Sequence, residues 1–402
     1  MKNLPKVIIK AHQEKRLIEG SPWIFSNEIE NFSALKKLEK GSLVEIEIFK
    51  QPHFAIAYFN PHSLIACRIL SYNSVEEIDE KFFNKKIIQA QNLREKFFKS
   101  PFYRLINSEG DGLAGLIIDR FDNVFVCQIS TAGMENLKPF IIKFLQNNFK
   151  NCRIIFKNNS ELRALEKIDN IAEIEIVDNL QTPDHLMVLE NDLDFKIDLK
   201  NGQKTGWFYD QRINRQFVSS IAKDYDVLDA YCYVGGFGLN AIKGQAKNVV
   251  FVDSSKDAIE LAKQNAQNAV QKFNPNCQTH FYHDKIFDLL ENPEFQKQSF
   301  DLVLLDPPAF IKSRKDFFSG IRGYEKLVRL ASGVLKANGF LIISSCSHHA
   351  SSSDLIGATQ NAFNKLDRRC SLVRNFGAGP DHPLHPALKE SEYLKCLTFF
   401  VQ

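Results

Sequence analysis

Val227–Ala241, VLDAYCYVGGFGLNA, limits the folds open to this chain more than any other stretch. An apolar run ends in an acid, Asp229, then turns through Gly235, Gly236 and Gly238 into a helical pattern. A glycine turn between a strand and a helix lets a ligand approach the backbone closely. The spacing is not G-x-G-x-x-G, so the dinucleotide fingerprint does not fit. Three more apolar runs end in acidic or reactive residues. Asn248–Val252 leads into Asp253, Phe300–Leu305 into Asp306-Pro307-Pro308, and Phe340–Ser344 into Ser345-Cys346-Ser347. Together the four runs predict a doubly wound α/β sheet with a site along its carboxyl edge.

A chain of 402 residues is long for one core, so two or three domains are expected. Residues 1–75 predict short strands at Val7–Lys10, Ser42–Ile48, Phe54–Asn60 and Leu64–Leu70, the pattern of a small β-barrel. Residues 76–185 predict a mixed α+β domain. It begins with a helix across Glu76–Ser100 whose apolar face carries Phe83, Ile87, Ala90 and Phe97. Strands follow at Phe102–Asn107, Leu113–Asp119 and Val124–Ser130, with Glu109-Gly110-Asp111-Gly112 turning the first pair into a hairpin. A helix near Met134–Phe149 and a strand at Arg153–Phe156 complete it, and a boundary falls in Asp178–His185. Residues 186–402 hold the doubly wound domain. It opens with a hairpin, Leu186–Leu199, turning through Asn201-Gly202, and Asp210 is placed to N-cap a helix running toward Ala222.

Composition narrows the class. No apolar run is long enough for a membrane span, and MKNLPKVIIKAHQEKR lacks the apolar core of a signal peptide, so a cytoplasmic protein without a membrane partner is expected. The eight cysteines are scattered without a C-x-x-C pair, which fits isolated thiols in a reducing compartment rather than a disulfide framework or a metal site. Net charge is only +3. Residues 1–100 carry 16 Lys and Arg against 12 Asp and Glu, and the remainder carries 35 against 36. The basic excess in the first quarter hints at a polyanion-binding module there, although a solvated helix face would have the same charge.

Strand-end acids around a glycine turn are the signature of an S-adenosylmethionine-dependent methyltransferase. The turn from Asp229 through Tyr233 and Gly235 is the candidate donor cradle, and Asp253 is placed to accept the hydroxyls of an adenosine ribose. Asp253 could also cap the helix after Ser254; the two roles are compatible, and the upstream glycine turn favours the ligand role. The prolines after Asp306 set a rigid backbone, so that Asp306 faces the methyl donor or a base edge and Phe310 offers a stacking surface. A lone cysteine is usually a small core hydrophobe, and Cys67 and Cys127 are read that way. Cys346 differs, because it lies between Ser344-Ser345 and Ser347-His348-His349 at the ligand edge. Carbon 5 of a pyrimidine is a poor nucleophile until a thiolate adds to carbon 6, so a thiol at this edge points toward cytosine carbon 5.

The whole chain resembles the bacterial ribosomal RNA large-subunit methyltransferase I family. Ser21-Pro22-Trp23-Ile24-Phe25 is similar to a segment of the family's N-terminal PUA barrel, an RNA-binding module. Glu109-Gly110-Asp111-Gly112-Leu113-Ala114-Gly115-Leu116 resembles the signature of its middle EEHEE domain. Gly202–Arg212 looks like the start of its catalytic domain, and Gly379-Pro380-Asp381-His382-Pro383 with Tyr393-Leu394-Lys395 resembles its C-terminal pattern. The resemblance implies S-adenosylmethionine as donor and cytosine carbon 5 of 23S rRNA as acceptor. It also implies that Phe208, Asp210, Asp253 and Asp306 line the donor site and that Cys346 is the nucleophile. Where the family has an acid two residues before a phenylalanine, this chain has Lys285, and Asp284 is the candidate to replace it. Ser21 stands where a histidine is usual. Two other readings stay open: methylation of a base nitrogen, which gives Cys346 no task, and a non-catalytic RNA-binding assembly factor. The oligomeric state is also open, with a homodimer among the assemblies allowed.

Overall fold

The computed structural model describes residues 4–169, 174–177, 184–202 and 204–402. Residues 178–183 of the expected boundary, and Gln203, lie outside them. The chain forms two compact units. One comprises Met1–Asp184 with Leu199–Trp207 and Pro380–Ser391; the other comprises His185–Asp198, Phe208–Gly379 and Glu392–Gln402.

The first unit holds two sheets. Strands β1 (Lys6–Ile8), β2 (Trp23–Phe25), β3 (Ser42–Ile48), β4 (Gln51–Phe59) and β5 (Ile65–Ser71) run in the order β1-β3-β4-β5-β2. An antiparallel bridge between Ile9 and Ile29 joins the two ends and rolls the sheet into a barrel. Alternate residues, among them Val44, Ile46, Ala55, Ala57 and Phe59, fill its core. The short strand β2 lies outside the four strands expected for residues 1–75. Arg16 spans the turn region by donating to Ser21 Oγ and to both carboxylate oxygens of Glu28.

Helix α1 (Lys15–Ile18) and helix α2 (Phe32–Leu35) are single turns within the barrel region. Helix α3 (Glu80–Glu95) follows, N-capped by Asp79 onto the Phe82 N–H. It is shorter than the sequence pattern suggests, so Phe97 falls outside it and is 58% exposed. The second sheet has the order β10-β9-β8-β7-β6, from β6 (Phe102–Asn107), β7 (Leu116–Phe121), β8 (Val124–Ile129), β9 (Arg153–Phe156) and β10 (Glu175–Ile176). Helix α4 (Ala132–Asn148), capped by Thr131, packs against α3, and the short helix α5 (Glu161–Leu165) follows β9. β6 and β7 form the expected hairpin, and Gly112 takes the left-handed conformation its turn requires (φ 68°). Arg94 is fully buried. It donates to both oxygens of Asp111 (2.5 and 2.7 Å) and to the Asp381 carbonyl, while Asp381 Oδ2 accepts the Arg104 N–H. The Gly-Pro-Asp-His-Pro motif therefore has a structural task, anchoring a returning segment in this unit.

The second unit opens with a hairpin of β11 (His185–Glu190) and β12 (Leu193–Asp198). It turns at Asn191-Asp192, not at Asn201-Gly202. Both turn residues have positive φ (53° and 62°), as a two-residue type I′ hairpin requires, and Asn and Asp tolerate that region. Helix α6 (Arg212–Ile221) comes next, then β13 (Asp226–Ala230), α7 (Gly236–Lys243), β14 (Asn248–Asp253), α8 (Lys256–Phe273), β15 (Gln278–His283) and α9 (Ile286–Glu291). The chain continues through β16 (Phe300–Leu305), α10 (Phe317–Ser332), β17 (Leu335–Ser345), α11 (Ser352–Asn364), β18 (Cys370–Phe376) and β19 (Lys395–Val401). The sheet order is β15-β14-β13-β16-β17-β19-β18, with β15 to β17 parallel and β19 antiparallel to both of its neighbours. Strands β13, β14 and β16 are buried and read as near-continuous apolar runs, whereas β15 at the edge stays partly exposed. Winding reverses between β13 and β16, which opens a crevice at their carboxyl ends. Every strand end singled out in the sequence lies on that edge.

Helix α7 approaches the sheet closely because Gly238 has no side chain. A Cβ there would stand 2.1 Å from a ring carbon of Phe251 on β14. Gly238→Ala should therefore destabilise the protein by about 1–3 kcal/mol through overpacking. Gly357→Ala on α11, where a Cβ meets nothing within 4 Å, should be neutral or slightly stabilising. Urea unfolding of the two variants checks this, and equal midpoints would show that α7 does not depend on the glycine.

Candidate active site

The turn after β13 is strained in a localised way. Tyr231, Tyr233 and Gly235 all have positive φ (62°, 50° and 91°). Two of the three are not glycine, a conformation that persists only where the surroundings impose it. One restraint is Asp253, at the end of β14, whose carboxylate accepts the N–H groups of Tyr233 and Ser255, both at 2.9 Å. Ser255 is itself the N-cap of α8, so Asp253 does not cap that helix. Phe208 packs edge-on against Tyr233, with centroids 5.7 Å apart.

Asp229 is the most unusual group on this edge. Its Oδ2 accepts the Gly238 N–H at 2.7 Å, whereas its Oδ1 is buried with no hydrogen-bond partner among the described residues. Burial pushes its carboxyl up to about 7; the Gly238 bond opposes this, and the negative charges of Asp306 and Asp253 add to it. Three acids thus share one edge. Asp306, just past β16, is held by Gln211, whose Nε2 donates to its Oδ1 at 3.0 Å. Sequence reasoning assigned Gln211 no role, because a partner 95 residues away leaves no local signal.

Asp210 lies in the 3₁₀ turn Tyr209–Gln211 and does not cap α6, whose N-cap is Gln211 without a side-chain bond. The Asp210 Oδ2 instead accepts Tyr393 Oη at 2.6 Å, and its carbonyl accepts the Gly379 N–H. Beside it, Arg215 donates to Glu190 and to the Phe208 carbonyl, fixing the backbone that carries Phe208. Asp284 is exposed just beyond β15. Its N–H donates to the Asp253 carbonyl and its Oδ1 accepts the Lys285 N–H, so it continues the row of strand-end acids.

Cys346 is half-buried immediately after β17. Its neighbours form a network. The Tyr324 hydroxyl shares hydrogen bonds with Ser345 Oγ (2.7 Å) and Ser347 Oγ (3.2 Å). Ser347 Oγ accepts the Ile311 N–H from the loop after Asp306, and the Ser347 carbonyl accepts Lys395 Nζ at 3.0 Å. Lys395 is buried on β19, in register with Ser345, and burial pulls its ammonium down, opposed first by the charge of Glu392. The thiols of Cys67, Cys127, Cys232 and Cys396 are fully buried and pushed well above the ordinary cysteine range, Cys396 to about 12. Phe310 does not offer an open stacking face. Its ring packs on Tyr324 (centroids 4.7 Å) and Phe287 (6.2 Å), because Gly320 and Gly323 let α10 press onto the loop. Of the two prolines, Pro307 is buried and Pro308 exposed.

The edge suits a small cationic ligand carrying a diol. S-Adenosylmethionine has a sulfonium and an ammonium to meet the acid row, and the orphaned Asp229 Oδ1 is a buried acceptor awaiting a donor. The family model for S-adenosylmethionine-dependent methyltransferases matches residues 162–368, and the model for PUA-like domains matches residues 7–72. The protein is an S-adenosylmethionine-dependent methyltransferase with a PUA-like domain. Ribosomal RNA large subunit methyltransferase I of Aliivibrio fischeri (strain MJ11) is 33% identical over 392 residues, 97% of each chain. Its namesake from Cronobacter sakazakii (strain ATCC BAA-894) is 31% identical over 393 residues, 97% of this chain and 98% of that one. The chain belongs to the ribosomal RNA large subunit methyltransferase I family. A methyltransferase candidate from Streptococcus mutans shares the fold with a TM-score of 0.79 at 20% identity, covering 99% of this chain and 100% of that one. Among the described residues, no helix is long and apolar enough to cross a membrane.

The raised carboxyl of Asp229 has a consequence for stability. Below about pH 4 both the folded and the unfolded states hold its proton. Between there and about pH 7 only the folded state does, so this group lowers stability as pH rises through that window and adds no further slope above it. Asp229→Asn removes the effect. Its stability relative to the parent should improve by up to about 1.4 kcal/mol per pH unit between pH 5 and 7. Urea denaturation across pH 5–8 tests this, and parallel curves for the two proteins would contradict it.

Proposed function

We propose that this protein methylates carbon 5 of a cytosine in large-subunit (23S) ribosomal RNA through a covalent adduct to Cys346. The observation that carries the reading is the thiol's setting. Cys346 is half-exposed at the ligand edge, between two serines tied to Tyr324, on the strand next to the one that ends in Asp306. The names of the curated relatives supply the ribosomal substrate class.

The chemistry follows from the base. The Cys346 thiolate forms a bond to carbon 6, and the displaced π electrons make carbon 5 an enamine nucleophile. Bound S-adenosylmethionine supplies an electrophilic methyl group on its sulfonium. Asp306 is held by Gln211; in this reading it faces the reacting base and donor and serves with Cys346 as a catalytic residue. Once carbon 5 is methylated, a base removes its proton, the carbon 5–carbon 6 double bond re-forms and the thiolate leaves. Phe208, Asp210, Asp229, Tyr233, Gly235, Asp253, Asp284 and Asp306 form the donor site in this reading, with the ribose hydroxyls on Asp253. Residues 1–75 act as the RNA-binding module, residues 76–185 as the connecting α+β domain and residues 186–402 as the catalytic domain.

Asp253→Ala should weaken binding of S-adenosylhomocysteine by roughly 1–3 kcal/mol, the cost of losing charge-assisted bonds. Unchanged affinity by calorimetry would remove Asp253 from the donor site. Cys346→Ala should keep donor affinity and lose methyl transfer, since the enamine cannot form without the adduct. With RNA carrying 5-fluorocytosine at the target, the parent enzyme should form a denaturation-resistant protein–RNA adduct, because fluorine blocks the proton removal that frees the thiol. The alanine variant should form none. Appreciable methylation by that variant would favour attack by a base nitrogen instead.

A further inference from the structure

Residues 312–329 carry six Lys and Arg against two acids, a net +4 within 18 residues in a chain whose total is +3. The structure disposes of both acids. Asp316 is locked in a capping box with Ser313, and Glu325 is paired with Lys365. Lys326 is paired with Glu291. Lys312, Arg314, Lys315, Arg322 and Arg329 are exposed, and among the described residues none of the five lies within ion-pair distance of a carboxylate. Phe318 stands among them 74% exposed, its ring steadied edge-on by Phe317 (centroids 5.4 Å, 84°). On α10, Phe318, Arg322 and Arg329 follow helical spacing and share one face.

This ridge is fixed beside the reacting groups. It starts six residues past Asp306, directly after Ile311, which is buried and donates its N–H to Ser347 Oγ. Gly320 allows the tight seating of α10, since a Cβ there would lie 2.3 Å from the Ile311 side chain. Unpaired cations flanking an exposed aromatic are what a single strand needs: cations for its phosphates and a flat face for an unstacked base. We propose that the Lys312–Arg329 ridge is a docking surface for the single-stranded RNA next to the target cytosine, with Phe318 as a stacking platform. The inference rests on the assignment of RNA as substrate, and it locates RNA affinity in the catalytic unit as well as in the PUA-like barrel.

The test uses the full chain and a fluorescein-labelled 12-nucleotide single-stranded RNA, with affinity measured at several salt concentrations. The triple variant Lys312→Ala, Arg314→Ala, Lys315→Ala should bind at least tenfold more weakly. Its slope of log affinity against log salt should flatten by about 2, as expected for three lost phosphate contacts at roughly 0.7 each. Phe318→Ala should bind about tenfold more weakly with its salt slope unchanged, because stacking releases no counterions. S-Adenosylhomocysteine affinity should match the parent in both, which shows that the unit is folded. Parent-like RNA affinity and slope in both variants would overturn the ridge. If the parent still methylates rRNA in that case, the assigned function survives and only the ridge falls. Ridge-dependent binding to anionic lipid vesicles without ridge-dependent binding to RNA would overturn it equally, in favour of a membrane surface.

Discussion

The site depends first on the hydrogen bond from the Gly238 N–H to the Asp229 carboxylate. A carboxyl at the end of a central strand, screened from water and facing two other acids, is costly to keep ionised. One backbone N–H compensates part of that cost and ties the first turn of α7 to β13. The other oxygen remains unsatisfied among the described residues, and burial, with the charges of Asp306 and Asp253, pushes the carboxyl up to about 7. A fold selected for stability alone would replace this group. In the proposed reading a cationic ligand completes it beside the strained turn.

From that bond the geometry spreads along the carboxyl edge. The sheet order places β14 on one side of β13 and β16 on the other, so Asp253 and Asp306 flank the glycine turn. The next strand, β17, delivers Cys346, and the antiparallel β19 returns alongside it with Lys395 in register with Ser345. Buried hydrogen bonds then set each group: Gln211 holds Asp306, Tyr393 holds Asp210, and Tyr324 holds the serines on both sides of Cys346. In the proposed reading the acids form the donor side and the thiol with its hydroxyl network forms the acceptor side, on adjacent strands of one sheet.

Much of this was legible because parallel strands buried on both faces announce themselves as apolar runs, and their last residues must lie at the ligand edge. Four of the five barrel strands and the Glu109–Gly112 hairpin were legible from alternation and turn chemistry, whereas the three-residue β2 was too short to show a pattern. Groups set by partners far along the chain were not. Asp210 resembles an N-cap locally but is claimed by Tyr393, and the Phe310 ring is claimed by Tyr324 once two glycines bring α10 close. Asn201-Gly202 is the stronger turn dipeptide, yet the hairpin register is fixed by the alternation of β11 and β12, which meets at Asn191-Asp192. Counting charge along the chain favoured the first quarter and overlooked the ridge on α10, because only the structure shows which of its charges are already paired.

The central claim is that carbon 5 of cytosine, activated through Cys346, accepts the methyl group. The most direct measurement is release of tritium to water when the purified enzyme and S-adenosylmethionine act on rRNA labelled with tritium at cytosine carbon 5. Substitution at that carbon expels its hydrogen, so the account predicts tritium release equal to methyl incorporation, and neither with Cys346→Ala. Methyl incorporation without tritium release would place the methyl group elsewhere and contradict the account.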